Sequence, residues 1–92
     1  MSWDLDYTDA ALQDLAAVPL ELQGAVESHL LRLAAAPVSL SHKAVFPYAG
    51  PGQIFPFTVT STDGRLHHFT VFFLYAQDEQ LLHIARVVYQ SR

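Results

Sequence analysis

The sequence has 92 residues, which suits one small domain, and we expect residues 1–92 to fold as a single unit. Apolar residues make up 51% of the chain and charged residues 15%, so it has ample apolar surface to fold and is not intrinsically disordered. No apolar run reaches about 18 residues and no basic segment precedes an apolar one at the N-terminus, so we expect neither a membrane-spanning helix nor a signal peptide. The lack of cysteine excludes a disulfide scaffold and a thiolate metal site.

Charge is distributed unevenly along the chain. The net charge is −4, from five Lys and Arg against nine Asp and Glu. Residues 1–31 contain six acidic residues and no Lys or Arg, whereas residues 32–92 contain all five basic residues and three acidic ones. Five minus three leaves the C-terminal portion at only +2, far below the dense Lys and Arg stripe of a dedicated duplex-binding protein.

The N-terminal third is predicted to form one short strand and two helices. Residues 3–7 alternate apolar and acidic side chains, which is typical of a strand with one buried face. The spacing of apolar residues then predicts helices over about 9–17 and about 19–35. Pro19 separates the two helices and Pro37 ends the second, because proline disfavours helical geometry in the residue before it. Helices joined this tightly are expected to form an αα-hairpin.

The rest of the chain is predicted to be mostly strand. Residues 37–53 contain three prolines and two glycines and indicate a loop, or at most an irregular edge. Asp63-Gly64 is a turn signal between two later strands. Those strands and the last one are predicted over 54–61, 66–75 and about 80–89, with Pro56 confining the first of them to an edge or a bulge. The order β-αα-βββ predicts an α+β fold, an antiparallel sheet with the helical hairpin packed on one face.

This order of elements and several local phrases resemble the RelE/ParE superfamily of bacterial toxin–antitoxin toxins. The phrases lie in both helices and in the last three strands: Ala10-Ala11-Leu12-Gln13-Asp14-Leu15, Leu33-Ala34-Ala35-Ala36-Pro37, Phe55-Pro56-Phe57-Thr58-Val59, Phe69-Thr70-Val71-Phe72-Phe73-Leu74, and Leu82 through Arg92. The resemblance implies a bacterial, cytoplasmic toxin of a type II toxin–antitoxin pair, neutralised by an antitoxin protein. It also implies one of two targets, messenger RNA on the ribosome or DNA gyrase.

The sequence departs from the family where strand arginines are frequent, because those positions hold Pro56, Thr58, Thr70 and Leu74. Members that cut messenger RNA use clustered Lys and Arg, with a terminal Tyr or His, to hold phosphates and stabilise developing charge. Three interpretations therefore stay open. The chain is an endoribonuclease toxin with a reduced basic set, a gyrase-directed toxin, or a catalytically inactive RelE-fold module for binding or dimerisation.

A turn at Gln77-Asp78, with Ala76 opposite Glu79, predicts which side chains share the face of the sheet away from the helices. In this register that face carries the side chains of Phe72, Leu74, Leu81, His83, Val87, His68 and Tyr89. We expect Phe72, Leu74, Leu81 and His83 to form a partner-binding face, because solvated sheet faces usually alternate to polar residues. Either an antitoxin segment or a second copy of the chain covers it, or the chain's own loop at 38–53 does.

The resemblance also suggests a set of site residues. Tyr89 and His68 are the expected acid and base for cleavage by a neighbouring 2′-hydroxyl, with Arg86 as the third catalytic residue. Lys43, Arg65 and Arg92 are the expected phosphate-binding or RNA-binding residues. The alternative for Tyr89 is a ring that only packs, and for Arg86 and Arg65 a solvated charge.

No metal ion and no cofactor are expected. His67 and His68 are adjacent in a strand, so they point to opposite faces and cannot ligate one ion together. His68 and His83 share a face in the predicted register but stand roughly 13 Å apart, too far for bonds of about 2 Å. His29, on the apolar stripe of the second helix, is predicted to be a core-edge histidine with a hydrogen-bond partner.

Overall fold

The structure, a computed structural model, describes residues 2–43 and 52–91, without the side chains of Lys43, Gln77 and Ser91. Its elements are β1 (Asp4–Tyr7), α1 (Asp9–Ala16), α2 (Leu20–Ala35), α3 (Pro37–Leu40), β2 (His42–Lys43), β3 (Gln53–Thr60), β4 (Leu66–Ala76), a 3-10 turn (Gln77–Glu79) and β5 (Leu81–Ser91). The strands form one sheet in the order β1-β5-β4-β3-β2, which confirms the predicted α+β class. None of the helices described is long and apolar enough to cross a membrane.

The two long helices form where the sequence predicts them. The Thr8 hydroxyl accepts a hydrogen bond from the Ala11 backbone N–H and so caps α1. Along α2, buried side chains recur at helical spacing, namely Leu22, Val26, Leu30, Leu33 and Ala34. Pro37 does not only end α2, because it also occupies the first turn of the short α3, where its missing N–H costs nothing.

The sheet is antiparallel from β2 to β5, as predicted, but β1 pairs with β5 in parallel. The α1–α2 hairpin accounts for this, since it carries the chain across the sheet and lets β1 run alongside the last strand. Pro56 lies in β3, where only Gln53 and Ile54 pair with β2. At Pro56 the strand is therefore at the edge of the sheet, as predicted, and the missing N–H breaks no ladder hydrogen bond. β2 itself is a two-residue strand at the edge of the sheet, within the segment predicted to be a loop or at most an irregular edge.

The hairpin between β4 and β5 differs from the predicted one in two ways. Its connection is longer than the two-residue turn, and Ala76 pairs with Leu81 rather than facing Glu79. A bulge then follows, because Phe73 pairs with Ile84 while Phe72 pairs with Arg86, which leaves Ala85 as the extra residue. Despite the longer turn, Leu81 and His83 lie on the predicted face of the sheet. After the bulge, every later residue of β5 lies on the face opposite to the predicted one.

The core lies between the helices and one face of the sheet, which we call the helix face. Phe69, Val71, Phe73, Leu82 and Ile84 are almost fully buried there. An aromatic row runs across this face, since Phe57 is directly opposite Phe69 and Phe69 directly opposite Tyr89. Ring centroids along the row are 5.1 and 4.8 Å apart. We call the opposite side of the sheet the open face.

Candidate functional site

A chain of hydrogen bonds links four side chains at the end of the sheet nearest the β3–β4 turn. Tyr89 Oη lies 2.8 Å from His67 Nδ1, and His67 Nε2 lies 3.1 Å from Ser61 Oγ. Ser61 Oγ in turn donates to Asp63 Oδ1. His67 is only 6% exposed, so its two ring nitrogens depend on these partners. We refer to Tyr89, His67, Ser61 and Asp63 as the Tyr89 relay.

The direction of each hydrogen bond follows from the donors available. The Ser61 hydroxyl has two partners that can only accept, the Asp63 carboxylate and the Arg65 carbonyl at 3.2 Å, so its single proton points to them and not to His67. Ser61 Oγ then accepts from His67 Nε2–H, which leaves Nδ1 of the neutral imidazole to accept from the Tyr89 hydroxyl. The Ser61 hydroxyl, followed by the Arg65 backbone N–H, holds the pKa of Asp63 below its usual range. The carboxylate contacts serine rather than histidine, so the relay is not arranged as a Ser-His-Asp triad.

Local sequence explains how the β3–β4 turn supports this arrangement. The Gly64 N–H donates to the Ser61 carbonyl at 2.9 Å, and the Ser61 N–H donates to the Arg65 carbonyl at 3.0 Å. Gly64 adopts a φ of +83°, a left-handed conformation that a side chain disfavours. The predicted Asp-Gly turn therefore folds Asp63 back beside Ser61.

Arg86 is held by α1 at the edge of β5 that faces away from β4. Its Nε and Nη2 donate to the two carboxylate oxygens of Asp14 at 2.7 and 3.0 Å, a bidentate ion pair. The Val87 backbone N–H also donates to Asp14, at 2.9 Å, where β1 has ended and β5 has become the edge of the sheet. The Arg86 hydrogen bond, followed by that of Val87, lowers the pKa of Asp14, and Asp14 raises the pKa of Arg86.

Tyr89 and Arg86 line the same groove. The groove has a volume of about 290 Å³ and lies between the C-terminal end of α1 and the edge of β5, with Asp14, Ala17 and Val88 among its other lining residues. The structure thus brings together two of the three residues predicted to be catalytic. The two residues belong to opposite faces of β5, since Arg86 pairs with Phe72 and Tyr89 with Phe69, and they share the groove at the edge of the strand. A phenol can handle a proton and a guanidinium can bind an anionic group.

His68 lies on the other side of the sheet, so the predicted pairing of His68 with Tyr89 is wrong. The Ala85 bulge is the cause, since it turns Val87 and Tyr89 to the helix face, where Val87 is 2% exposed. His68 Nδ1 lies 3.3 Å from Thr58 Oγ1, and its Nε2 is buried with no hydrogen-bond partner among the described residues. This ring lines a depression of about 70 Å³ together with Thr70, Phe72, Val88 and Gln90.

The open face carries the four side chains predicted to bind a partner, namely Phe72, Leu74, Leu81 and His83. Leu74 is 41% exposed, Val88 is 37% exposed, and the other apolar members are partly exposed. His83 pairs with Leu74 rather than with Phe72, and its Nδ1 lies 3.1 Å from the Asp6 carboxylate on β1. The face is therefore apolar at its centre and acidic along β1.

The remaining predicted phosphate-binding residues are only partly described. Arg65 is exposed in the β3–β4 turn, next to Asp63 of the Tyr89 relay. Lys43 lies in β2 with its side chain undescribed, and Arg92 falls outside the described residues. Most of the loop proposed as a cover for the open face, residues 44–51, also falls outside them. Within the described part of the chain, no group of three or more His, Asp or Glu could hold a metal ion.

Sequence reasoning missed His67, Ser61, Asp63 and Asp14 as members of a site. His67 was recognised only as facing away from His68, which the structure confirms, since His67 is buried on the helix face. Its partner Tyr89 became visible only once the bulge was known. Asp14 carried no distinctive signal, since it follows Gln13 on a helix that also begins with Asp9. Its target on β5 lies 72 residues away along the chain, beyond the reach of local patterns.

The fold defined by this sheet order and helical hairpin is that of the RelE toxins, as comparison with solved structures establishes. No protein-family model and no curated protein matches the sequence itself. A chain in the RelBE2 toxin–antitoxin complex of Mycobacterium tuberculosis superposes with a TM-score of 0.76 at 15% identity, covering 98% of this chain and 100% of that one.

Two Escherichia coli structures are similar as well. A chain in the intact RelBE toxin–antitoxin complex gives a TM-score of 0.66 at 10% identity, covering 99% of this chain and 100% of that one. The isolated RelE toxin gives the same TM-score and identity, covering 99% of this chain and 87% of that one. The predicted RelE-like fold is thereby confirmed.

Proposed function

We propose that this protein is the toxin of a toxin–antitoxin pair, acting in the bacterial cytoplasm. The observation that carries the proposal is the superposition on a chain of the M. tuberculosis RelBE2 complex, which spans 98% of this chain and 100% of that one. The whole domain, rather than a shared fragment, therefore corresponds to a chain from a toxin–antitoxin complex.

The partner in this proposal is an antitoxin segment that covers the open face. Leu74 and Val88 are 41% and 37% exposed on the open face of the sheet, where solvated positions are usually polar. Asp4 and Asp6 on β1 border this surface and are exposed. An apolar segment flanked by basic residues has the chemistry that fits such a surface.

The activity in this proposal is cleavage of messenger RNA on the ribosome, in the groove shared by Tyr89 and Arg86. Tyr89 would accept the proton of the attacking 2′-hydroxyl. Arg86 has five N–H donors, of which two bind Asp14, and its side chain is 57% exposed, so the others are available to a phosphate. The ion pair with Asp14 would then orient the Arg86 guanidinium rather than prevent it from binding a phosphate.

A second candidate function is a gyrase-directed toxin or a catalytically inactive module for binding or dimerisation. The observation that favours it is the neutral open face of β3 and β4, where Pro56, Thr58, Thr70 and Leu74 carry no charge for an RNA backbone. The growth and cleavage experiments below separate these candidates from the ribonuclease.

Growth of a bacterial host after induction tests the proposal. We expect the unmutated chain to arrest growth, and co-expression of the small protein encoded beside it to relieve the arrest. Leu74→Lys places a charge on the open face without opening a cavity, so this variant should stay toxic but lose most of the relief. Val38→Lys, also at an exposed apolar position but on α3, is the matched control and should be relieved normally. Growth unaffected by the unmutated chain would contradict the toxin role.

A further inference from the structure

We infer that His67 takes up the proton of Tyr89 during RNA cleavage and that Ser61 and Asp63 position His67 for this transfer. The inference rests on the proposed ribonuclease function and adds to it a set of residues on β4 and the β3–β4 turn. Tyr89 is the catalytic residue of this scheme because it touches the substrate, whereas His67, Ser61 and Asp63 act through it as positioning residues.

Geometry gives the imidazole one useful orientation. His67 is 6% exposed, with Nδ1 2.8 Å from Tyr89 Oη and Nε2 3.1 Å from Ser61 Oγ. Its ring also stacks on that of Tyr89, with centroids 5.8 Å apart and an interplanar angle of 18°. Rotation of the ring would break both hydrogen bonds of a side chain that is only 6% exposed. The acceptor nitrogen is thus fixed on the phenol.

The acceptors around the Ser61 hydroxyl determine the tautomer of His67. The Asp63 carboxylate and the Arg65 carbonyl can only accept, so they orient the hydroxyl, and its oxygen then requires a proton on His67 Nε2. Nδ1 is left with its lone pair toward Tyr89. Asp63 is exposed in the turn, so the relay runs from a buried histidine to a surface carboxylate without burying a charge.

A water molecule supplies the proton for the leaving group in the cleavage step and is regenerated at its end. As the 2′-oxygen bonds to phosphorus, its proton passes to Tyr89 Oη while the Tyr89 proton passes to His67 Nδ1. The P–O5′ bond breaks and the 5′-oxygen takes a proton from a water molecule. The His67 imidazolium, next to the Ser61–Asp63 pair, then returns its proton through Tyr89 to the hydroxide that remains.

Cleavage of a defined messenger RNA in a cell-free translation reaction tests the inference. Asp63→Asn and Ser61→Ala should each lower the maximal cleavage rate about tenfold, a part of the ~10²–10⁴-fold that a placed base supplies, without changing the toxin concentration at half-maximal rate. Ser61→Thr keeps the hydroxyl and should retain the rate. Asp78→Asn, which removes an exposed carboxylate at the other end of β4, is the control and should cleave normally.

A second measurement reads the relay without RNA. In the labelled full chain, ¹⁵N chemical shifts should show His67 protonated at Nε2 and unprotonated at Nδ1, and Ser61→Ala should shift both signals. Normal cleavage by Asp63→Asn and Ser61→Ala, or a proton on Nδ1, would overturn the inference while leaving the ribonuclease proposal intact. Absence of cleavage by the unmutated chain would instead overturn the ribonuclease proposal, and the inference with it.

Discussion

At the level of single residues, Asp14 links the first helix to the last strand. Its carboxylate accepts from Arg86 through two nitrogens and from the Val87 backbone N–H. The latter is an edge donor that no strand satisfies once β1 has ended at Tyr7. One acidic side chain therefore closes the sheet edge and holds Arg86, the one arginine among the described residues that line the groove of Tyr89. This double role explains why a residue predicted to be catalytic is engaged in an ion pair.

We expect the stability of the fold to depend on pH through His29. Burial, followed by the nearby Arg32, lowers the pKa of His29, whose ring stacks on Phe57 with centroids 4.3 Å apart. Its hydrogen bond with Arg32 confirms the predicted core-edge histidine. Below pH of about 6.5 the unfolded chain binds a proton at this position before the folded chain does, so the free energy of unfolding falls as the pH falls.

Urea unfolding at pH 7.5 and 5.5 checks the role of His29. His29→Gln removes the titrating group and should shrink the difference in stability between the two pH values. His42→Gln, at an exposed histidine on β2, is the control and should leave that difference as it is. If the difference in stability between the two pH values is the same in His29→Gln as in the unmutated chain, the pH dependence comes from another group.

At the level of elements, the β4–β5 hairpin shows how far the sequence predicts this fold. The two strands, their antiparallel pairing and the helix-face residues Val71, Phe73, Leu82 and Ile84 follow from apolar alternation, and the structure confirms them. The bulge at Ala85 does not follow from it, because Val87 and Val88 fit either face of a strand. The bulged register keeps Arg86 out of the core and lets the Val87 N–H donate to Asp14 on α1. The candidate site depends on that choice, so its composition could not be predicted.

Two glycines in different elements should respond oppositely to alanine. Gly64 has a φ of +83° in the β3–β4 turn, and Gly24 lies inside α2; a methyl group at either would meet nothing within 4 Å. Backbone preference alone therefore decides the outcome. Gly64→Ala should lower the free energy of unfolding by roughly 1 kcal/mol, and Gly24→Ala should raise it by a similar amount. Equal signs in urea unfolding would contradict the assigned turn and helix.

At the level of the whole molecule, the sheet separates two surfaces with different chemistry. The helix face and the adjoining edge of β5 hold the relay and the groove of Tyr89 and Arg86, where the proposed function places RNA cleavage. The open face holds Leu74, Phe72 and Val88, where the proposed function places an antitoxin. Under that proposal the antitoxin would act by blocking approach to a large target rather than by filling the groove.

The measurement that tests this account most directly is a map of the 5′ ends of cellular RNA shortly after induction of the unmutated chain and of Tyr89→Phe. The account predicts new ends within translated messages for the unmutated chain, reduced about 100-fold or more in Tyr89→Phe, which keeps the ring on Phe69 but cannot transfer a proton. New ends at the same level in both would contradict the assigned role of Tyr89. Growth arrest without new ends would contradict the ribonuclease and support the gyrase-directed alternative.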